Sequence, residues 1–325
     1  MPIPYQRFYE AIESPHTKPA YEKYLRDFLE YSKTDSENIV RLKQQDIDDL
    51  VFNYLVHIKT RTEQTNVPSP NSYNVLFSPI QLFLEQNDIM LNWKKIKRMY
   101  PRRKAPTNQA PYTREDIKKM LEATTSKRNK AFVHFLASTA IRVGALHEIS
   151  VSDITPVEDG AIVTIYSEDI EEYRACLTPE AYQSLLEYFE YRNLMGYPVT
   201  KDSPLFCDKS NYERITYNNS KDLIRNILKK AGLRGETVGK RTKTTKSQNH
   251  AFRKRSETIM VNCGIHSKYV EYFMGHFEKQ DRHDFKPTDE EIWNNFKKAI
   301  PASTTDIKVD KSDNRWIADR DNNQV

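Results

Sequence analysis

Only eight glycines interrupt a chain of 325 residues. Glycine supplies the positive backbone angles that phosphate-cradling loops and tight repetitive β turns require. Those architectures have little to build on here, and a mostly helical protein follows. Hydrophobic residues at 38% and aromatics at 11% suffice for folded cores, whereas charged residues at 29% and a mean hydropathy of −0.77 argue for a soluble chain. At this length two domains can each bury a core. No run approaches the ~18 apolar residues of a membrane helix, and residues 1–9 carry neither a signal core nor a transit pattern. Cys176, Cys207 and Cys263 are too scattered for a disulfide framework or a paired-cysteine metal site, so no metal or cofactor is expected and a reducing cytoplasm fits.

Apolar periodicity divides the chain. Tyr21, Tyr24, Leu25, Phe28 and Leu29 predict a helix over residues 17–32, and Ile47, Leu50, Val51, Tyr54, Leu55 and Ile58 predict a second with Asp46 as its N-cap. Pro68 and Pro70 end it, a third spans 73–86 and a short fourth 93–100. Residues 1–100 thus read as a helical domain, and the Pro-rich polar stretch 101–111 as a linker. A second domain covers 112–300. Thr113 caps its first helix, a strongly apolar helix covers 130–140, and two β-favouring runs at 161–166 and 173–177 flank an acidic turn. Thr178-Pro179 opens a helix to about Arg192, and another covers 217–231. Residues 232–248 are basic and lack an apolar pattern. The tail 301–325 is polar, with Trp316-Ile317 its obvious apolar anchor. The fold class expected is mainly α with a small β-hairpin or sheet, in two domains.

Chemistry concentrates in four positively charged or titratable residues. Arg142 ends the apolar helix, His250 and Arg253 lie three apart on one helical face, and His276 follows Gly275. Two guanidinium groups can hold the non-bridging oxygens of a phosphate bidentately without a metal, and imidazole can donate to a phosphoryl oxygen or take a proton near neutral pH. Taken singly, each has a structural alternative; Arg142, for example, could pair with Glu148 or Asp153.

As an ordered set, with Phe285 nine positions beyond His276, these residues resemble the tyrosine site-specific recombinases, the phage-integrase-like family, in a pattern nearest to archaeal or viral members. The resemblance implies a core-binding domain over residues 1–100, a catalytic domain over 112–300, and a two-domain clamp on DNA. It implies strand breakage and rejoining through a 3′-phosphotyrosine, with no cofactor. Arg142, His250, Arg253 and His276 would hold the scissile phosphate, and Phe285 stands where the family carries its nucleophilic tyrosine. The family's hairpin lysine, which protonates the departing 5′ hydroxyl, has no counterpart: no lysine lies between Lys130 and Lys201. Arg174 on the second strand is the candidate substitute, with an exposed strand cation as the alternative.

Double-stranded DNA is the expected partner, with Lys94, Lys97, Arg102, Arg103, Lys104, Lys240, Arg241, Lys243 and Lys246 as candidate DNA contacts. Homodimers on one site and homotetramers in a synapse are implied, acting in the cytoplasm around the host nucleoid. Phenylalanine cannot attack phosphorus, so the chain is expected to be cleavage-deficient. Its origin stays open between a substitution made to trap a DNA complex, a naturally inactive relative serving as a DNA-binding or accessory protein, and a nucleophile from elsewhere, such as Tyr269, Tyr272 or another subunit. A helical interaction protein without a DNA role is the remaining alternative.

Overall fold

The computed structural model describes residues 2–15, 17–61, 68–105, 110–209, 212–234, 237–238, 241–242, 246–276 and 285–305. The chain forms two compact units, Met1–Pro106 and Thr107–Val325, each with its own apolar core.

In the first unit, α1 (Ile3–Glu10), α2 (Lys18–Tyr31), α3 (Ser36–Ile39), α4 (Gln44–Thr60), α5 (Tyr73–Glu85) and α6 (Trp93–Arg98) surround Phe8, Leu25, Phe28, Val51, Phe77 and Phe83. The apolar stripes seen in the sequence are the buried faces. Two helices were not expected. α1 is short, with Phe8 its one buried residue, so periodicity has little to register. α3 is a single turn held by Asp35, whose carboxylate accepts from the Glu37 and Asn38 backbone N–H groups. Asp46 is not the cap of α4: that helix starts at Gln44, and Asp46 sits in its first turn, where a negative charge favours the helix dipole.

In the second unit, α7 (Arg114–Glu122) begins with a reciprocal capping box between Thr113 and Asp116. α8 (Lys127–Thr139) is buried at every position from Ala131 to Thr139, the mark of a central helix. Against it pack α9 (Pro179–Leu194), capped by Thr178, and an antiparallel sheet of β1 (Ile154–Val157), β2 (Gly160–Ile165) and β3 (Tyr173–Leu177) in that order. Val163 pairs with Ile154 on one side and Ala175 on the other. The expected hairpin is therefore β2–β3, and β1 adds an edge strand that carries Pro156, which only an edge tolerates. α10 (Tyr217–Lys230), α11 (His250–Asn262), α12 (Ser267–Phe273), α13 (Asp289–Phe296) and α14 (Ile300–Ser303) complete the unit. In the basic stretch, β4 (Thr237–Val238) pairs antiparallel with β5 (Arg241–Thr242). Among the described residues no helix is long and apolar enough to cross a membrane.

Candidate active site

The site is assembled where α8, α11 and α12 end or begin. The start of α11 is pinned by Tyr112, whose hydroxyl donates to the Gln248 carbonyl at 2.9 Å and whose ring meets Phe252 edge-on at 4.8 Å. One turn into α11, Arg253 points inward and is 3% exposed. Its Nη1 donates to the Ala140 carbonyl at 2.6 Å, and its Nη2 donates to the Met274 carbonyl at 2.7 Å and lies 3.0 Å from His276 Nε2. Ala140 closes α8 in the left-handed conformation, φ 56°, which ends the helix and brings Arg142 round two residues later. Arg142 Nη1 donates to the Gly275 carbonyl at 3.3 Å. Arg214 steadies the following loop, donating to the His147 and Ile149 carbonyls at 2.8 Å each.

Gly275 therefore organises both arginines. It ends α12 at φ 59°, with the His276 N–H on the Glu271 carbonyl and its own N–H on the Tyr272 carbonyl, both at 2.9 Å. This is the paired bonding of a Schellman turn. A side chain there would also collide with Tyr173, since a Cβ would lie 2.7 Å from its ring. Conformation and space both demand glycine, and the turn it makes delivers two carbonyls to the arginines and sets His276 beside Arg253.

Arg142 and Arg253 act on each other's surroundings and on both histidines. Neither Arg142 nor Arg253 is paired with a carboxylate among the described residues, and Arg253 Nε is buried without a partner. A desolvated, unpaired guanidinium is costly, and burial, followed by the Arg142 charge, pulls the Arg253 pKa down. Burial and then Arg253 likewise lower both His250 and His276 below the ordinary histidine value, so both imidazoles are neutral near pH 7. Tyr173 is pushed up to about 12 by burial, against the pull of Arg253 and Arg142. Glu257 exerts an opposing pull on Arg253, His250 and His276.

His250 is exposed at the first position of α11 and His276 is exposed after the turn; with Arg142 and Arg253 they form one cluster. Phe285 stands apart from it in chemistry. Its ring packs on the core, nearly perpendicular to Tyr269 at 5.0 Å and Tyr272 at 6.0 Å. Those two tyrosines behave as packing groups: Tyr272 is buried, and burial pushes its pKa to about 12.

Arg174 does not join the cluster. Strand alternation turns Tyr173 toward Arg253 and the next residue away, and Arg174 pairs with Asp289 at 3.2 Å. Of the DNA-contact candidates, Lys94 and Lys97 on α6 and Arg102, Arg103 and Lys104 after it are exposed. The Lys104 backbone is tied to the Asn71 side chain in both directions, at 3.0 and 2.8 Å. Lys246 is held by Asp116, whose buried carboxylate also accepts from the Thr113 N–H at 2.7 Å. Lys240 and Lys243 lie outside the described residues, as does the side chain of Arg241, whose backbone is in β5. The sequence reading passed over Tyr166 and Tyr173, taking them for ordinary strand formers. Their position at the two ends of the acidic turn, the only aromatic rings on the hairpin, was the available signal.

The phage integrase family model matches residues 112–281, just over half of the 325 residues. No curated protein matches. Among solved structures, the chain is similar to the Tn1549 transposon integrase, carrying a tyrosine-to-phenylalanine substitution and in complex with transposon right end DNA. Identity is 15% and the TM-score 0.56, over 90% of this chain and 98% of that one. It is similar to XerH site-specific recombinase bound to its difH substrate in a pre-cleavage complex, at 16% identity and TM-score 0.54, over 85% of this chain and 77% of that one. A lambda integrase tetramer bound to a Holliday junction matches at 14% identity and TM-score 0.53, over 87% and 76%. At these identities the likeness is one of fold, and it agrees with a mainly helical protein carrying a small antiparallel sheet. With the family match covering the span that holds Arg142, His250, Arg253 and His276, the chain belongs to the phage integrase family, the tyrosine recombinases.

Proposed function

We propose that this chain binds double-stranded DNA site-specifically and holds a scissile phosphate between Arg142, Arg253, His250 and His276, in the manner of a recombinase, but does not cut it. The observation that carries the reading is the buried Arg253 guanidinium, held by backbone carbonyls, the His276 imidazole and Tyr173, beside a second arginine and without a carboxylate ion pair among the described residues. Two fixed guanidinium groups stabilise the extra charge of a pentacoordinate phosphorus, and the neutral imidazoles suit proton transfer. Phe285 lacks the hydroxyl that would attack.

In this reading residues 1–100 and 112–300 are the two halves of a DNA clamp joined by 101–111. Lys94, Lys97, Arg102, Arg103, Lys104, Lys240, Arg241 and Lys243 contact phosphate, and Lys246 anchors its segment through Asp116. Solved relatives in fold include a tetramer on a Holliday junction, which supports dimers on one site and tetramers in a synapse, acting around the host nucleoid. Restoring tyrosine with Phe285→Tyr and incubating with a nicked suicide duplex of the bound site is the test. A covalent protein–DNA adduct is expected, falling roughly 10²- to 10³-fold when Arg253 or Arg142 is replaced by alanine. Tight specific binding without any adduct would overturn the recombinase reading. It would favour a naturally silent DNA-binding protein, the alternative supported by the hairpin's lack of lysine.

A further inference from the structure

Breaking a phosphodiester expels an alkoxide, which needs a proton to leave. Among the described residues, His250, His276, Tyr166 and Tyr173 are titratable groups on which both Arg142 and Arg253 act. Neutral imidazoles are better placed to accept a proton than to supply one. Tyr173 is closed off beneath Gly275, 2% exposed. Tyr166 differs on each count. It follows β2 at the mouth of the acidic turn, is only half-buried, and its ring lies 6.2 Å from that of Tyr173. Burial and then Glu148 raise its pKa, and Arg142 and Arg253 pull the other way. Its backbone is left-handed at φ 55°, a conformation that a bulky aromatic residue seldom adopts and that is retained where a side chain must be aimed.

Resting on the recombinase reading, we propose that Tyr166 is the hairpin's proton donor to the departing 5′ oxygen. As the hydroxyl introduced by Phe285→Tyr attacks, the new P–O bond forms and the P–O5′ bond breaks. The attacking group's proton passes to a neutral imidazole, and the Tyr166 phenolic proton passes to O5′. The phenolate left behind faces Arg142 and Arg253 and regains a proton from water. Arg174, turned to Asp289 and chemically reluctant to release a proton, has no part in the step.

The test uses the full chain with Phe285→Tyr and two suicide duplexes, one ordinary and one with sulfur in place of the bridging 5′ oxygen, since a thiolate leaves without protonation. Adding Tyr166→Phe should slow adduct formation on the oxygen substrate by about 10²-fold or more while leaving the sulfur substrate within a few-fold of the parent. Equal loss on both substrates would make Tyr166 a structural residue, and no loss on either would make it a bystander; both overturn the proposal. A parent inert on both substrates would instead remove the recombinase reading, and this proposal with it. Circular dichroism of the Tyr166→Phe protein guards against misfolding, and His250→Gln, expected to slow both substrates alike, gives the contrasting pattern.

Discussion

Gly275 is the smallest residue in the site and the one with least latitude. Its left-handed backbone and the Tyr173 ring 2.7 Å from any added Cβ act together. Gly275→Ala should destabilise the second unit by about 1–3 kcal/mol, read as a lower denaturant midpoint with an unchanged slope. It should also weaken binding of site DNA, because the two carbonyls that position Arg142 and Arg253 move with the turn. A variant of unaltered midpoint would mean that Tyr173 gives way freely. Gly275-His276 was marked in the sequence by its resemblance to the recombinase pattern; the turn that demands the glycine is seen in the fold. Ala140 was not: a left-handed alanine leaves no compositional trace. Nor was the ion pair of Arg174 with Asp289, which depends on strand register and on a helix more than a hundred residues away.

At the scale of elements, helix boundaries followed the apolar stripes closely, because α2, α4, α5 and α10 each bury one face and expose the other. α8 and α9 meet through a different device, a buried titratable group. His134 is 7% exposed within α8. Burial lowers its pKa, outweighing the opposing pull of Glu180 and Glu187. A histidine whose folded pKa is depressed binds its proton more readily when unfolded, so its contribution to stability is intact above the unfolded value of about 6.5 and is lost as pH falls. His250 and His276 act in the same direction. The unfolding midpoint should therefore drop between pH 7 and 5, and His134→Gln should flatten that slope. Parallel slopes for the two proteins would assign the drop to other groups. The pairing of Lys246 with Asp116, 130 residues apart in sequence, belongs here too. A charge run reads as solvated until the fold supplies a partner, and this one closes the capping box of α7.

For the whole molecule, the modest formal charge of +5 averages over basic runs at Lys94 to Lys104 and Arg234 to Lys246 and an acidic run at Ser167 to Glu172 along the sequence. If six or so phosphates are contacted, log K against log salt should slope by about −5. A slope near zero would exclude a DNA clamp. The Pro-rich stretch 101–111 suggested a linker, and the boundary between the two compact units in the chain falls between 106 and 107. Phe285 is a feature of the sequence alone. What composition could not reveal was how Arg142 and Arg253 are positioned, because that depends on Ala140, Met274 and Gly275 offering carbonyls rather than side chains.

The most direct test of the proposed phosphate-holding site compares the Phe285 chain and its Phe285→Tyr variant on the same site duplex, reading affinity at equilibrium and covalent adduct by denaturing electrophoresis. The affinities should agree within about twofold, since the phosphate is held by Arg142, Arg253 and the two histidines in both, and the adduct should form with the variant alone. An adduct with the Phe285 chain, which would place the nucleophile elsewhere, or a variant that binds equally and never reacts, would contradict it.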